Sequence, residues 1–173
     1  MTENEPQVEV IDPMADAIPD PIQVRLATFQ DAPIIHEISR MGYEAHDGHF
    51  PDAEYPYILH YIIEQISNGF CWVVQDEGRV IGVSMVAPKN WPWNRQVFFY
   101  ENTHLYVLPN WRGTGAADKL VEAMKALANE KQVQLILNFT YGTDFEVVKG
   151  FMAKHGMQLL GGNFLYTPLQ KDE

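Results

Sequence analysis

The chain has 173 residues, a formal net charge of −11, and 46% hydrophobic and 12% aromatic content, enough for one well-buried core and too little for two ordinary domains. The negative charge excludes a general binder of nucleic acid or anionic membrane, whose phosphates would repel it, and no apolar run reaches the ~20 residues that span a bilayer. Cys71 is the only cysteine, so an intrachain disulfide framework and a cysteine-rich zinc site are both excluded and a core thiol is expected.

Residues 1–21 carry six acids, no base and four of the eleven prolines, so the rest of the chain has a net charge of only −5. Such a segment buries too little apolar surface to offset its ordering entropy. It is expected to be an acidic tail whose VEVI stretch docks on its own domain or on a partner. The segment also lacks the basic-then-apolar pattern of a secretory signal, and a cytoplasmic protein is expected. One domain then runs over 22–169, with a short C-terminal tail at 170–173.

IQVRLA (22–27) reads as a strand. Asp31 is placed as a helix N-cap, with Pro33 in the first turn where its missing N–H costs nothing and Ile34, Ile35, Ile38 and Met41 as the apolar face. After the loop GYEAHDGHFPDAEYP (42–56), Ile58, Ile62, Ile63 and Ile66 mark a second helix that ends at Asn68-Gly69. FCWVVQD and RVIGVSMVAP flank the hairpin signal Glu77-Gly78, and QVFFYENTHLYVL follows the predicted loop KNWPWN. Together these form an antiparallel meander behind two helices.

Next comes YVLPNWRGTGAADKL (106–120), where an apolar strand passes a proline corner and two glycines into a helix over 115–130 carrying Leu120, Met124 and Leu127. VQLILNF (133–139) is a buried strand, and strand-helix-strand requires a parallel, right-handed crossover. Asp144 caps a further helix with Phe145, Val148, Phe151 and Met152 apolar, stopped at Gly156. MQLL and NFLYTP close the chain as a hairpin turned at Gly161-Gly162. The order β-α-α-β-β-β-α-β-α-β-β is an α/β chain with a mixed, mostly antiparallel sheet, a central parallel pair and helices on both faces.

Leu105-Tyr106-Val107-Leu108-Pro109-Asn110-Trp111-Arg112-Gly113-Thr114-Gly115-Ala116-Ala117 resembles the acetyl-CoA-binding motif of the GCN5-related N-acetyltransferase (GNAT) superfamily. That pattern is a strand ending V-x-P, then Q/R-x-x-G-x-G/A at a helix start, with Arg112, Gly115 and Ala117 in the diagnostic places. A dinucleotide fingerprint does not fit, because Asp118 stands where its third glycine belongs. The chemistry suits the residues. Backbone N–H groups at a helix start form an anion site without lysine, and glycine lets the backbone come close. The resemblance implies acetyl-CoA as co-substrate and no metal. The amides of Arg112, Gly113, Thr114, Gly115, Ala116 and Ala117 would hold pyrophosphate, and the Leu105-Tyr106-Val107 backbone would pair with pantetheine. Asp118 is expected to point away from the phosphates.

The same resemblance implies direct attack of a neutral amine on the thioester, with an acceptor such as a polyamine-like molecule, a lysine or a protein N-terminus. Glu101 and His104, near the cofactor junction, are candidates for the base, directly or through water. The family's leaving-group acid is a tyrosine four residues before the glycine that ends the penultimate helix. Met152 stands there, and a thioether donates no proton. Tyr141 is a candidate substitute. Either transfer proceeds without a dedicated acid, or the fold binds acyl-CoA as an interaction or structural protein without efficient turnover. Trp91 and Trp93 could line the acceptor site or cover a core edge. Asp47, Asp52 and Glu54 would attract a cationic amine, while His46, Asp47 and His49 match no zinc spacing. A homodimer is left open.

Overall fold

A computed structural model describes residues 20–45, 53–139 and 145–160. In chain order the elements are β1 (Ile22–Leu26), α1 (Ala32–Glu44), α2 (Tyr55–Ser67), β2 (Cys71–Asp76), β3 (Arg79–Trp91), β4 (Asn94–Val107), α3 (Ala116–Lys131), β5 (Gln134–Ile136) and α4 (Phe145–Lys154). The strands form one sheet in the order β1-β2-β3-β4-β5. The first four are antiparallel, and β5 runs parallel to β4. This is the mixed sheet and the crossover expected from the residue pattern. The expected closing hairpin lies mostly outside the described residues, and Met157–Leu160 is neither helix nor strand.

The sheet has a core on each face. In β2, Cys71 and Val73 pack toward α1 and α2 against Ile35, Ile38, Ile62 and Ile66. Trp72 and Val74 pack the other way, onto Leu120, Val121 and Met124 of α3. Two covered faces are why CWVV reads as a continuous apolar run instead of an alternating one. Burial pushes the Cys71 thiol up to about 12, so it stays protonated at neutral pH and is unreactive. The β2–β3 turn has Glu77 at φ 47° and Gly78 at φ 83°, the two left-handed residues of a tight hairpin.

At Gly82 two strands approach closely. A Cβ there would sit 2.9 Å from the Tyr106 carbonyl oxygen and 3.0 Å from Val74.

Three local expectations are corrected. KNWPWN is not a loop, because β3 extends to Trp91 and β4 begins at Asn94. Trp91 stacks on Trp93 at 5.0 Å and tilts against Phe99 at 4.7 Å, so aromatic contacts extend the hairpin. The strand expected over 133–139 is regular only at Gln134–Ile136. Asp31 stands at the entrance of α1, but its side chain does not cap that helix. Its carboxylate accepts from the Thr28 N–H at 2.7 Å and from Arg25 at 2.7 and 2.8 Å.

The Arg25 guanidinium, opposed in part by burial, brings the Asp31 carboxyl down to about 2. A depressed carboxylate stabilises the fold above its ordinary pKa and loses that contribution as pH falls toward 2. Asp31→Asn is therefore expected to cost about 1–2 kcal/mol at pH 7, limited by the partly solvated arginine. In urea titrations the gap from wild type should close between about pH 4 and 2.

Candidate functional site

Strands β4 and β5 pair only from Phe99–Gln134 to Glu101–Ile136. Beyond Glu101, the edge of β4 that faces away from β3 has no strand partner among the described residues. A bulge lies at this same point. Met85 pairs with His104 while the next residue, Val86, pairs with Asn102, leaving Thr103 as the extra residue. The bulge reverses the alternation. Tyr100 is buried on the α3 face, whereas Tyr106 packs on the α1–α2 face.

Side chains hold the divergence of β4 and β5. Asn102 Oδ1 accepts from the Asn138 backbone N–H, and Asn102 Nδ2 donates to the Asn138 carbonyl at 3.2 Å. Asn138 Nδ2 donates to Glu101 Oε1 at 2.7 Å. The Glu101 carboxylate is thus fixed where the two strands part. His104 lines the adjoining cleft, but its Nε2 is buried. Its ring lies 6.5 Å from that of Tyr106, and both rings sit beneath Gly42 of α1, where a Cβ would fall 3.1 Å from Tyr106 and 3.4 Å from His104. Tyr141 lies outside the described residues, as do His46, Asp47, His49 and Asp52. Glu54 is exposed at the entrance of α2.

After Val107 the chain makes one short turn at Pro109–Trp111. Trp111 anchors it, with Nε1 donating to Asp76 at 2.9 Å and Arg79 above the indole at 4.7 Å. Gly113 at φ 81° and Gly115 at φ 89° are both left-handed, which is where glycine is needed. Lys119 is the first amide to close onto the turn, donating to the Gly115 carbonyl at 3.2 Å. The amides of Ala116, Ala117 and Asp118 therefore have no acceptor within the helix. Arg112 and Thr114 donate their amides back into the turn, to Pro109 and Trp111. Of the six amides expected to face an anion, those of Arg112 and Thr114 are thus engaged within the turn.

The Arg112 side chain folds back along β4. Its Nε donates to the Val107 carbonyl at 3.3 Å and its guanidinium lies 5.3 Å above the Tyr106 ring. Nothing in the motif foretold this contact. The Asp118 carboxylate is turned toward α4, bonded by Lys154 and by His155 Nε2 at 3.1 Å. Burial pushes Asp118 up, but these partners outweigh it and keep the carboxyl below its ordinary value. His155 also bonds Glu122 through Nδ1 at 2.7 Å. It is buried between two carboxylates, a clasp of α4 on α3 that no local sequence signal marks.

These elements surround one cleft of about 810 Å³ that runs from the α1–α2 wall, past Asn102–Val107, to the glycine turn and α4. Leu105, Tyr106, Val107, Arg112, Gly113, Gly115 and Ala117 all line it, and Asn102 and Asn138 line its middle. Ala116, the first residue of α3, is instead buried in the core. From α4 the lining residues are Val147, Val148 and Phe151; Met152 does not line the cleft and, like Phe151, is half-buried against the α3-side core. Trp91 and Trp93 stand at the hairpin tip, the far end of β4 from Val107.

A family model of the acetyltransferase (GNAT) domain matches residues 67–156, from the end of α2 to just past α4. Among solved structures, a predicted acetyltransferase from Clostridium acetobutylicum, solved with acetyl-CoA, superposes with a TM-score of 0.65 at 18% identity, covering 84% of this chain and 96% of its own. AAC(6')-Iy in complex with the bisubstrate analogue CoA-S-monomethyl-acetylneamine gives 0.64 at 13% identity, covering 86% and 99%. A ribosomal-protein-alanine N-acetyltransferase from Brucella melitensis biovar Abortus gives 0.63 at 15%, again covering 86% and 99%. No curated protein matches by sequence. The motif at 105–117, the parted β4–β5 pair that leads into it and the match over 67–156 agree, and the chain belongs to the GNAT acetyltransferase family.

Proposed function

We propose that this protein is an acetyl-CoA-dependent N-acetyltransferase that moves the acetyl group directly to a primary amine within a ternary complex. One observation carries the reading: the open edge of β4 from Asn102 to Val107 leads, inside one cleft, to the left-handed glycines and the bare first turn of α3. An extended arm with amides at one end and a pyrophosphate at the other suits that arrangement. Pantetheine lies along Leu105 and Val107, and the phosphates face Gly113, Gly115 and the amides after it. The Val107 carbonyl has a second lone pair, so it can accept from pantetheine while Arg112 stays in place.

The thioester then lies near the bulge. The amine nitrogen attacks its carbonyl carbon, the C–S bond breaks, and the electron pair leaves on the CoA sulfur. Glu101, whose carboxylate is held by Asn138 and stands behind the residues that line the cleft, accepts the ammonium proton through water. His104, with its Nε2 buried under α1, serves to pack β4 against that helix. The thiolate has a pKa near ~8.5 and can take its proton from water.

Acyl-CoA binding without turnover is the second reading, and Met152, which does not line the cleft, favours it. Phe151, on the cleft wall, offers a test. Phe151→Tyr is expected to raise kcat several-fold by supplying a phenol. Met152→Tyr is expected to give no gain and to cost about 1–3 kcal/mol from overpacking. Equal kcat for both variants and wild type would mean that leaving-group protonation does not limit the rate.

The reading as a whole is tested by calorimetry with acetyl-CoA, followed by thiol release over an amine library. Cys71 is buried and protonated, so the thiol reagent reports released CoA. Absence of binding would remove the enzyme reading, and binding without release with any amine would establish the second one.

A further inference from the structure

The two ends of the cleft differ in chemistry. The cofactor end carries the turn amides, Arg112 and an Asp118 already engaged by Lys154 and His155. The other end is a tyrosine wall built by two helices, with Tyr43 from α1 and Tyr57, Ile58 and Tyr61 from α2. Tyr57 and Tyr61 are four residues apart and so share one helix face. Tyr57 leaves 66% of its surface exposed, a large aromatic face at the mouth. Tyr61 is half-buried, and its hydroxyl pairs with Thr103 at the bulge, which ties the wall to the place where transfer is proposed.

Glu64 of α2, whose charge reaches Tyr61, is not among the residues that line the cleft, and both carboxylates of α1 are already committed. Arg40 pairs with both Glu37 and Glu44, and the Tyr55 hydroxyl donates to Glu44 at 3.3 Å. Asp118 is the one carboxylate among the described lining residues, and it lies at the cofactor end.

We infer that the acceptor is a monoamine carried on an aromatic or apolar body, an aralkylamine in kind; this rests on the N-acetyltransferase reading above. A ring packs offset or edge-on against the tyrosine faces, and a single ammonium is drawn by the same rings before it gives up its proton at Glu101. A polyamine or aminoglycoside would instead bring several charges to a cleft whose described lining holds one carboxylate, Asp118, already engaged at the cofactor end, and desolvating them has no compensation among the described lining residues.

The full-length protein is titrated with acetyl-CoA, then assayed for thiol release with tryptamine, phenethylamine, spermidine, an aminoglycoside and an alanine-initiated peptide. Tryptamine is also titrated by calorimetry into the CoA-loaded protein, which reads the pocket whether or not turnover occurs. The expected result is a kcat/KM for the aromatic amines at least tenfold above the other acceptors. Tyr57→Ala, at an exposed position, should raise the tryptamine KM about tenfold with acetyl-CoA affinity unchanged. A preference for spermidine, the aminoglycoside or the peptide, equal rates across the panel, or no tryptamine binding to the CoA-loaded protein would each overturn the inference while leaving the cofactor reading intact. Failure to bind acetyl-CoA at all would remove the reading beneath it.

Discussion

Gly115→Glu is expected to weaken acetyl-CoA binding at least 100-fold, about 2.7 kcal/mol, in a domain that still folds. Gly115 sits at φ 89°, and a Cβ built there meets nothing within 4 Å. The fold therefore bears only the left-handed strain of a non-glycine residue, about 1–2 kcal/mol, or a melting temperature lower by about 2–8 °C. Binding bears much more. The new carboxylate would stand at the start of α3, where bare amides and the positive end of the helix dipole await an anion. It would both occupy that site and repel the pyrophosphate. Gly115→Ala separates the two costs, because it carries the strain without charge or length, and its affinity should fall less than tenfold. Calorimetry reads the affinity and a thermal melt the fold. Unchanged affinity in the glutamate variant would move the phosphates away from this turn.

What the sequence made legible was decided by each residue's own backbone and nearest neighbours. Gly113 and Gly115 announce left-handed φ because only glycine enters that region freely, and Glu77-Gly78 announces its hairpin for a related reason. A helix between β4 and VQLILNF required the parallel pair. The features that shape the cleft were not legible, because they depend on partners distant in sequence. Nothing in ENTHLYV marks a break in the strand, yet the bulge at Thr103 sends Tyr100 and Tyr106 to opposite faces. Only the register with β3 fixes that. Likewise β5 is short because Asn102 takes over the pairing with side-chain amides, and no propensity distinguishes such an asparagine from one in a loop. His155 carries no local signal in the sequence. Its burial follows from Asp118 and Glu122 on α3, more than thirty positions away. Met152 was legible as a departure from the family pattern, but not that Phe151 beside it would line the cleft and Met152 would not.

The largest effect on turnover is expected from Glu101→Gln. Glutamine has the same shape, and its carbonyl oxygen can still accept the Asn138 Nδ2–H bond, so the junction of β4 and β5 should keep its geometry and its stability. What disappears is the carboxylate that removes a proton from the acceptor. An amine of pKa ~10 is almost wholly protonated at pH 7, and a positioned base contributes roughly 10²–10⁴-fold. The variant should therefore lose at least 100-fold in kcat/KM at pH 7 with its acetyl-CoA affinity intact. The sign of the pH dependence separates this role from a structural one. As pH rises toward 10 the solvent deprotonates the amine, so a missing base matters less and the deficit should shrink steadily. A distorted junction would instead leave a deficit that does not change with pH. Asn138→Ala provides the matching control. It releases the carboxylate without removing it, and the deficit should be smaller than that of Glu101→Gln and appear mainly in kcat. If Glu101→Gln retains activity within about threefold of wild type at pH 7, less than the smallest effect of a working base, proton removal belongs to another group.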